Sequence, residues 1–441
     1  MKKVLVLGAG LVSGPLVRYL LAREGVGVTV ASRRVARAEA IVGGHPRGTA
    51  VALDAGDAAA TLELVRAADL CISLLPPAFH ADVARLALEA GKHFVTTSYV
   101  SEAMKQLDEG VRRAGLTFLN EVGLDPGIDH MSALRIVHRI QSAGGTVTSF
   151  RSYCGGLPAP EANTNPWGYK FSWSPRGVVL AGRNSARWLE GSQVETLPGE
   201  RLFSRHWLVD VHGFGELEAY YNRDSLPYIE AYGLEGVENM LRATLRYPGW
   251  SFTMQKLADL DYFGLQEAAE RPRTYGDLTR ALANIPAGAD LRLELARTLG
   301  VDPSFDTMVR MDWLGLLGDD PLPETGTSPL DSLATLMLEK MPFRHDERDL
   351  CVMQHEIEGT YPSGERQQVI STLVEYGQPE GDSAMARTVG LPAAIAAAMI
   401  LDGRISDKGV LVPVVPSIYE PILDELTEVA GIAFAERVTA Y

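Results

Sequence analysis

The sequence has few cysteines and no long uninterrupted hydrophobic run. Its three cysteines, Cys71, Cys154 and Cys351, are odd in number and widely spaced, which excludes a disulfide framework and a zinc cluster. The alanine-rich run over residues 391–401 is too short to span a bilayer, so we expect a buried helix there and no membrane association. The histidines lack metal-ligand spacing. We therefore expect no metal, and His80, His93 and His130 to be structural or solvent-facing.

Positive charge is also in deficit. The chain has 41 Lys and Arg against 56 Asp and Glu, a formal net charge of -15. This balance argues against nucleic acid and anionic membranes as partners, and it means that anionic ligands need local arginines. The start Met1-Lys2-Lys3 runs directly into an apolar segment. We therefore expect no targeting peptide and a cytoplasmic location.

What the chain does have is a repeating β/α pattern over its first 123 residues. Near-continuous apolar runs alternate with helical stretches, which predicts an α/β fold with a Rossmann-type doubly wound parallel sheet. The predicted strands are residues 3–7, 26–32, 49–54, 69–76, 93–99 and 116–123, and the predicted helices include 81–90, 104–114 and 129–141.

The texture changes after residue 141. Strand-like segments at 146–153, 215–220, 350–358 and 369–375 flank a helix-prone stretch. We predict a Rossmann domain over residues 1–128 and an α+β substrate domain over 129–390, with a helical insertion at about 250–340. A C-terminal segment over 391–441 is expected to return to the Rossmann domain.

The first strand ends in Gly8-Ala9-Gly10, and a helix opens at about Leu11. Glycines at a strand-to-helix junction permit a tight turn against a pyrophosphate, although Ser13 stands where the third glycine of the fingerprint belongs. The second strand ends in Ser32-Arg33-Arg34 instead of the acid typical of NAD sites. A hydroxyl and two guanidinium groups suit a 2′-phosphate, so we predict NADP as the cofactor.

Several polar residues are candidates for chemistry. Asp125 precedes Pro126 close to the predicted cofactor edge and is a candidate ligand contact or general acid/base. Cys154 is predicted to end a strand beside two glycines, either lining the site or packing in the core. Arg223 and Arg246 are either carboxylate anchors or solvated surface arginines.

Residues 74–76, 95–101, 120–130, 152–161, 165–174, 222–225, 244–247 and 383–392 together resemble the saccharopine reductases. These are the NADP-dependent, L-glutamate-forming saccharopine dehydrogenases, and the motifs follow the family order over nearly the whole chain. The resemblance implies reductive condensation of L-2-aminoadipate 6-semialdehyde with L-glutamate to give L-saccharopine. These small molecules are the expected partners, with a homodimer as the candidate assembly.

The resemblance also implies site residues. Substrate contacts would fall on Ser98, Tyr99, Arg223, Thr244, Leu245 and Arg246. Cofactor contacts would fall on Gly8, Ala9, Gly10, Leu11, Val12, Ser32, Arg33, Arg34, Asp54, Ala55, Leu75, Thr97, Leu124, Asp125, Pro126 and Ser174.

Reduction of the imine that forms between aldehyde and amine requires a general acid/base, and Tyr99, Asp125 and Cys154 are the candidates. The sequence does not rank them, because their pKa values depend on burial and neighbours. Two other functions stay open at this point. One is a carboxynorspermidine dehydrogenase-like condensation with a diamine, and the other is a catalytically silent NADP-binding regulator.

Overall fold

The computed structural model describes residues 1–173, 175–267, 272–324 and 328–441. Contacts divide the chain into two compact units. Unit 1 comprises Met1–Gly144 and Gly377–Ala435, and unit 2 comprises Gly145–Tyr376 and Glu436–Tyr441. The observed divisions after residues 144 and 376 differ from the predicted ones after 128 and 390.

The first segment of unit 1 alternates strands and helices. Its strands are β1 (Lys2–Leu7), β2 (Val26–Ser32), β3 (Gly48–Ala52), β4 (Leu70–Ser73), β5 (His93–Thr96) and β6 (Thr117–Leu119). Its helices are α1 (Ser13–Ala22), α2 (Val35–Val42), α3 (Ala58–Arg66), α4 (His80–Glu89), α5 (Glu102–Lys105), α6 (Asp108–Arg113) and α7 (Ile128–Ser142). The single helix predicted over 104–114 is therefore wrong, because a turn at Gln106 and Leu107 separates α5 from α6.

Unit 2 begins with strands and contains the helical insertion. Its strands are β7 (Thr146–Pro158), β8 (Ala186–Glu190), β9 (Gln193–Leu197), β10 (His206–Val211), β11 (Gly215–Tyr221), β12 (Asn239–Arg246), β13 (Asp349–Thr360) and β14 (Arg366–Tyr376). Its helices are α8 (Pro175–Ala181), α9 (Pro227–Ala231), α10 (Trp250–Asp259), α11 (Tyr275–Ala283), α12 (Leu291–Leu299), α13 (Asp306–Leu314) and α14 (Pro329–Lys340).

The chain then returns to unit 1 through α15 (Ala384–Leu401), β15 (Gly409–Leu411) and α16 (Pro416–Ala430). A last strand, β16 (Ala435–Ala440), joins the sheet of unit 2 instead, where the backbone groups of Arg366 and Tyr441 bond to each other. The predicted return of the whole C-terminal segment to the Rossmann domain therefore differs from the structure at its last six residues.

The sheet of unit 1 has seven strands in the order β15-β6-β5-β4-β1-β2-β3, and its strands pair in parallel. Val4, Leu5 and Val6 are buried, because helices cover both faces of such a sheet. The predicted Rossmann-type fold is confirmed. The strand order reverses beside β1, and ligands of open α/β sheets bind at the carboxyl ends of the strands at this point.

Helix α15 completes the core of unit 1. It is long and apolar enough to cross a membrane by length and composition, yet 83% of it is buried inside the protein. It packs on α1, where a Cβ on Gly390 would lie 2.6 Å from the carbonyl oxygen of Val12. The burial accounts for its apolar composition, as expected for the run within it.

Ion pairs attach the returning segment to the first one. Arg135 on α7 bonds Glu420 and Asp424 on α16 at 2.5 and 2.7 Å, and Arg23 after α1 bonds Asp402 at 2.6 Å. These contacts place α7 in unit 1, which is why the division falls after residue 144 instead of 128.

Unit 2 is built on a nine-stranded mixed sheet. Seven strands follow the order β10-β11-β12-β7-β13-β14-β16, with β8 and β9 attached at β12. Strand β7 was predicted to end at residue 153 but continues to Pro158. Gly155 permits this, because a Cβ there would lie 2.7 Å from the carbonyl oxygen of Leu245 on the neighbouring chain segment.

Candidate functional site

The glycine turn after β1 has the geometry of a phosphate cradle. Gly8 has φ +111°, and a Cβ there would meet the carbonyl oxygen of Leu74 at 2.9 Å, whereas the space around Gly10 is open. No side chain caps the first turn of α1, so its N–H groups are available to an anion. The Ser13 hydroxyl donates to the carbonyl of Gly10 at 2.8 Å, which fits a serine at the third glycine position. Leu11 and Val12 complete the turn.

The end of β2 fits a phosphate better than a free ribose hydroxyl. Arg33 and Arg34 are exposed, and across the described residues neither guanidinium forms an ion pair. The Ser32 hydroxyl accepts from the Arg34 N–H at 3.3 Å. After β3, the Asp54 carboxylate accepts from the Gly56 N–H at 3.0 Å, beside Ala55. The residues at this edge therefore fit NADP.

The other predicted cofactor residues lie in the same unit, with one exception. Leu75 and Thr97 follow β4 and β5, and Leu124 and Pro126 lie in the loop before α7. Because the strands are parallel, their carboxyl ends share one edge of the sheet. Ser174 lies outside the described residues.

Tyr99 and Asp125 are joined by a hydrogen bond. The Tyr99 hydroxyl donates to the Asp125 carboxylate at 2.9 Å. The loop that carries Asp125 is closed by the Gly123 N–H, which donates to the Pro126 carbonyl at 2.9 Å. Gly127 has φ +147°, and a Cβ there would lie 2.1 Å from the Gly123 oxygen, so only glycine fits. The loop that carries Asp125 is thus fixed by its backbone geometry.

Glu121 links the segment that carries Tyr99 to α7, and sequence reasoning did not single it out. One carboxylate oxygen accepts from the Val100 N–H at 2.9 Å, next to Tyr99, and the other contacts the ring of His130 on α7 at 2.8 Å. Glu121 is buried with φ 58°. An acidic residue inside an otherwise apolar segment was the available signal.

In unit 2, the predicted substrate residues lie on and beside β12. Leu241, Ala243 and Leu245 belong to the hydrophobic core, and alternation places Thr244 and Arg246 on the opposite face. Cys154 on β7 pairs in register with Thr244. It is buried inside the strand instead of at its end, because β7 continues past Gly155.

Arg246 lies in an aromatic cage and is only 5% exposed. Its guanidinium carbon lies 4.9, 5.5 and 6.0 Å from the ring centres of Tyr169, Trp250 and Tyr220. One terminal nitrogen donates to the Leu245 carbonyl at 2.7 Å, but the Nε–H has no hydrogen-bond partner. Within the part of the chain that the structure describes, no carboxylate pairs with this guanidinium.

The acid opposite Arg246 on the neighbouring strand has other hydrogen-bond partners. Glu218 on β11 is the register partner of Arg246. Its two carboxylate oxygens accept from the N–H groups of Gly249 and Ser251 at 2.9 and 2.6 Å, at the start of α10. The acid therefore satisfies a helix N-terminus. This leaves a buried cation whose charge an acidic ligand could balance.

Two of the rings around Arg246 also present unused polar atoms. The Trp250 Nε1–H has no hydrogen-bond partner. Burial raises the pKa of the Tyr169 hydroxyl, so this hydroxyl stays protonated and the Arg246 charge is not cancelled by a phenolate. Neither residue was a predicted site residue, since their proximity to Arg246 depends on the tertiary fold.

Arg223 differs from Arg246 in its surroundings. It follows β11, is exposed and has φ 58°. The adjacent Asp224 pairs with Arg187 at 3.0 Å. The described ranges contain no group of three His, Cys, Asp or Glu residues that could hold a metal ion.

Comparison with known proteins covers the whole chain. Family models match as the saccharopine dehydrogenase NADP binding domain over residues 4–119 and the saccharopine dehydrogenase C-terminal domain over residues 123–432. The NADP(+), L-glutamate-forming saccharopine dehydrogenase of Pyricularia oryzae is 39% identical, over 100% of this chain and 99% of that protein. The mitochondrial alpha-aminoadipic semialdehyde synthase of Bos taurus is 38% identical over 99% of this chain, which spans 48% of that protein.

A solved structure agrees with the sequence matches. The apo histidine-tagged saccharopine dehydrogenase (L-Glu forming) from Saccharomyces cerevisiae superposes with a TM-score of 0.90 and 35% sequence identity, covering 100% of both chains. The chain belongs to the saccharopine dehydrogenase family.

Proposed function

We propose that this protein is an NADP-dependent, L-glutamate-forming saccharopine dehydrogenase. The reaction joins L-saccharopine, NADP and water to give L-glutamate, L-2-aminoadipate 6-semialdehyde, NADPH and a proton, and it runs in both directions. The observation that carries the proposal is the buried, uncompensated guanidinium of Arg246 in a chain whose relatives act on a tricarboxylic substrate.

The chain's own residues account for cofactor placement. The N–H groups at the start of α1 would hold the pyrophosphate of NADP, and the guanidinium groups of Arg33 and Arg34 would hold its 2′-phosphate. The nicotinamide ring would accept the hydride as NADP and donate it as NADPH.

Proton transfer falls to Tyr99 and Asp125. In the direction that releases glutamate, hydride removal from saccharopine gives an imine. Water must add to the carbon–nitrogen double bond of this imine before the two amino acids separate, and a proton must reach the departing amine. A hydroxyl hydrogen-bonded to a carboxylate at 2.9 Å can pass a proton in either direction. Cys154 is a third candidate, adjacent in register to Thr244.

Substrate recognition falls to arginines because the overall charge of -15 repels an anion. Arg246 offers an unused Nε–H and a cationic fork to one carboxylate. Arg223 is the second proposed anchor, and Ser98, Tyr99 and Thr244 are further proposed contacts. Leu245, whose side chain lies in the core, would contribute through its backbone only.

The alternatives have less support. A diamine lacks the two carboxylates of glutamate and would remove the need for one arginine anchor, and three full-length matches, those of three fungi, are saccharopine dehydrogenases. A catalytically silent regulator would not need the Tyr99–Asp125 hydrogen bond.

The proposal extends to lysine metabolism, a cytoplasmic location and a homodimer. The buried free cysteines are consistent with a reducing compartment, and light scattering measures the assembly.

Purified protein should reduce NADP in the presence of L-saccharopine at alkaline pH, where the secondary amine loses its proton. In reverse, NADPH should be consumed with the semialdehyde and L-glutamate but not when a diamine replaces glutamate. Folded protein that binds NADPH but turns over neither pair would refute the proposal.

A further inference from the structure

A hydrogen-bonded chain of a hydroxyl, an imidazole and a second hydroxyl ends at Ser98. The Ser73 hydroxyl, at the end of β4, contacts His80 Nδ1 at 2.8 Å. The other ring nitrogen, Nε2, contacts the Ser98 hydroxyl at 2.8 Å, just beyond β5. His80 is the first residue of α4, so all three groups lie at the carboxyl edge of the parallel sheet. Ser98 is half-buried, whereas Ser73 and His80 are 0% and 5% exposed.

The imidazole in this chain is neutral. Burial lowers the pKa of His80 from 6.5 to about 4. A neutral imidazole carries one N–H donor and one acceptor nitrogen. Two tautomers are therefore compatible with the distances, and they orient Ser98 in opposite ways.

Ser73 selects between the two tautomers. Its hydroxyl is fully buried, and in the described ranges its oxygen has no hydrogen-bond partner other than His80 Nδ1. If Nδ1 carried the proton, the Ser73 O–H would be buried with no acceptor, which costs more than an unused oxygen lone pair. The Ser73 O–H therefore donates to Nδ1, and the histidine proton resides on Nε2.

The position of the histidine proton then determines the hydrogen-bonding role of the Ser98 hydroxyl. The Nε2–H donates to the Ser98 oxygen, so the Ser98 proton turns away from His80. The backbone fixes the residue further, because its N–H donates to Thr96 Oγ1 at 3.4 Å and its carbonyl accepts from the Glu121 N–H at 3.2 Å. A serine held in this way is a donor to a ligand, and an ionised carboxylate is an acceptor only.

We propose that His80 is a positioning residue that, through its Nε2–H tautomer, presents the Ser98 hydroxyl as a hydrogen-bond donor to a carboxylate of the amino-acid substrate. The carboxylate part rests on the proposed function, whereas the tautomer part does not. Substrates that offer a donor at this point, such as a free amine, would be disfavoured.

The tautomer is tested by NMR on the full chain with ¹⁵N-labelled histidine. The signal of His80, one of nine histidines, is the one missing in His80→Gln, or the one displaced in Ser98→Ala if the first variant does not fold. We expect a protonated Nε2 and a bare Nδ1 at neutral pH in the wild-type protein. A protonated Nδ1 in the wild-type protein would overturn the positioning role.

The effect on substrate is tested by steady-state kinetics. His80→Leu and Ser98→Ala should each raise the KM for saccharopine about tenfold, and the double variant should be no worse than either, because His80 acts through Ser98. His80→Gln, whose amide can donate to Ser98, should stay within about threefold. The KM for NADP should not change. Effects that multiply in the double variant, or an equal rise in the KM for NADP, would indicate a merely structural histidine.

The two hypotheses fail in different ways. Wild-type protein that does not turn over saccharopine refutes the proposed function, while a protonated Nδ1 refutes the positioning role whatever the substrate is.

Discussion

At the scale of single residues, burial separates the arginines of this chain into two kinds. Arg33 is exposed and free of ion pairs among the described residues, so its charge is fully hydrated until a ligand arrives. Arg246 is 5% exposed and surrounded by rings, so it has already lost most of its hydration. The first kind suits a phosphate at the surface, and the second suits a carboxylate taken out of water.

Arg33→Ala should weaken NADPH binding about ten- to a hundred-fold and leave NADH binding nearly unchanged. A charge-assisted contact to a phosphate contributes about 1.5–3 kcal/mol, and NADH has no phosphate at this position. Fluorescence titration with both cofactors measures the effect. Arg66→Ala is the matched control, because Arg66 is an exposed arginine paired with Glu89. Equal losses for the two cofactors would mean that Arg33 does not contact the 2′-phosphate.

Arg246→Met should raise the KM for saccharopine at least tenfold while the affinity for NADP stays the same. Lysine at this position should rescue only partly, because an ammonium cannot form the two parallel hydrogen bonds of a guanidinium. The control is Arg205→Met, which removes a guanidinium that stacks on Trp188 at 5.0 Å but is exposed and paired with Glu195. An Arg246 variant with an unchanged KM and a lower melting temperature would contradict the substrate role.

Tyr99→Phe and Asp125→Asn should each lower kcat about a hundredfold or more, with smaller effects on the KM values, since general acid/base catalysis contributes about 10²–10⁴. Tyr19→Phe serves as the control, because Tyr19 also donates to a carboxylate, that of Glu425, in the same unit. If Cys154→Ala alone abolished turnover, the acid/base role would move to the thiol.

At the scale of elements, the local sequence pattern was sufficient to predict a strand where consecutive residues are all buried. The apolar run Val4–Leu7 predicted β1 because parallel strands are covered on both faces. Strands β8 and β12 were missed, because polar or charged residues such as Arg187 and Arg242 occupy alternate positions in them, so neither strand contains a continuous apolar run. The glycine turn Gly8-Ala9-Gly10 and the motif Ser32-Arg33-Arg34 were also visible in the sequence. The cage around Arg246 was not, because Tyr169 and Trp250 meet it only in the folded sheet.

The start of α10 offers a test of how elements secure the cage. Glu218→Gln should lower the free energy of unfolding by about 2 kcal/mol, because an amide can accept from only one of the two N–H groups that the carboxylate now serves. Denaturant unfolding measures the loss. Glu216→Gln, exposed on the same strand, should stay within about 0.5 kcal/mol. Equal losses of unfolding free energy in the two variants would show that Glu218 stabilises the protein no more than an exposed acid does.

At the scale of the whole molecule, an acidic chain must bind two anions against its own field. The net charge of -15 acts on both NADP and the substrate, and salt screens this repulsion, since the Debye length falls from about 30 Å at 0.01 M to about 8 Å at 0.15 M. Salt also screens local attraction, but mainly where the attracting charge is exposed. The two ligands should therefore respond differently to ionic strength.

Raising the salt concentration from about 0.01 M to about 0.15 M should weaken NADP binding. Salt screens the repulsion from the net charge, but it also screens the attraction between the cofactor phosphates and the exposed Arg33 and Arg34. Over the same range, the KM for saccharopine at saturating NADP should stay level or fall, because Arg246 is buried and keeps its attraction while the distant repulsion is lost. Titration of cofactor and substrate at several chloride concentrations measures both trends. The Arg33→Ala variant should show a shallower salt dependence for NADP, and Arg246→Met should leave that dependence unaltered. A KM for saccharopine that rises with salt as steeply as the Kd for NADP would mean that the substrate carboxylates bind exposed charges, and Arg246 would then not be their anchor.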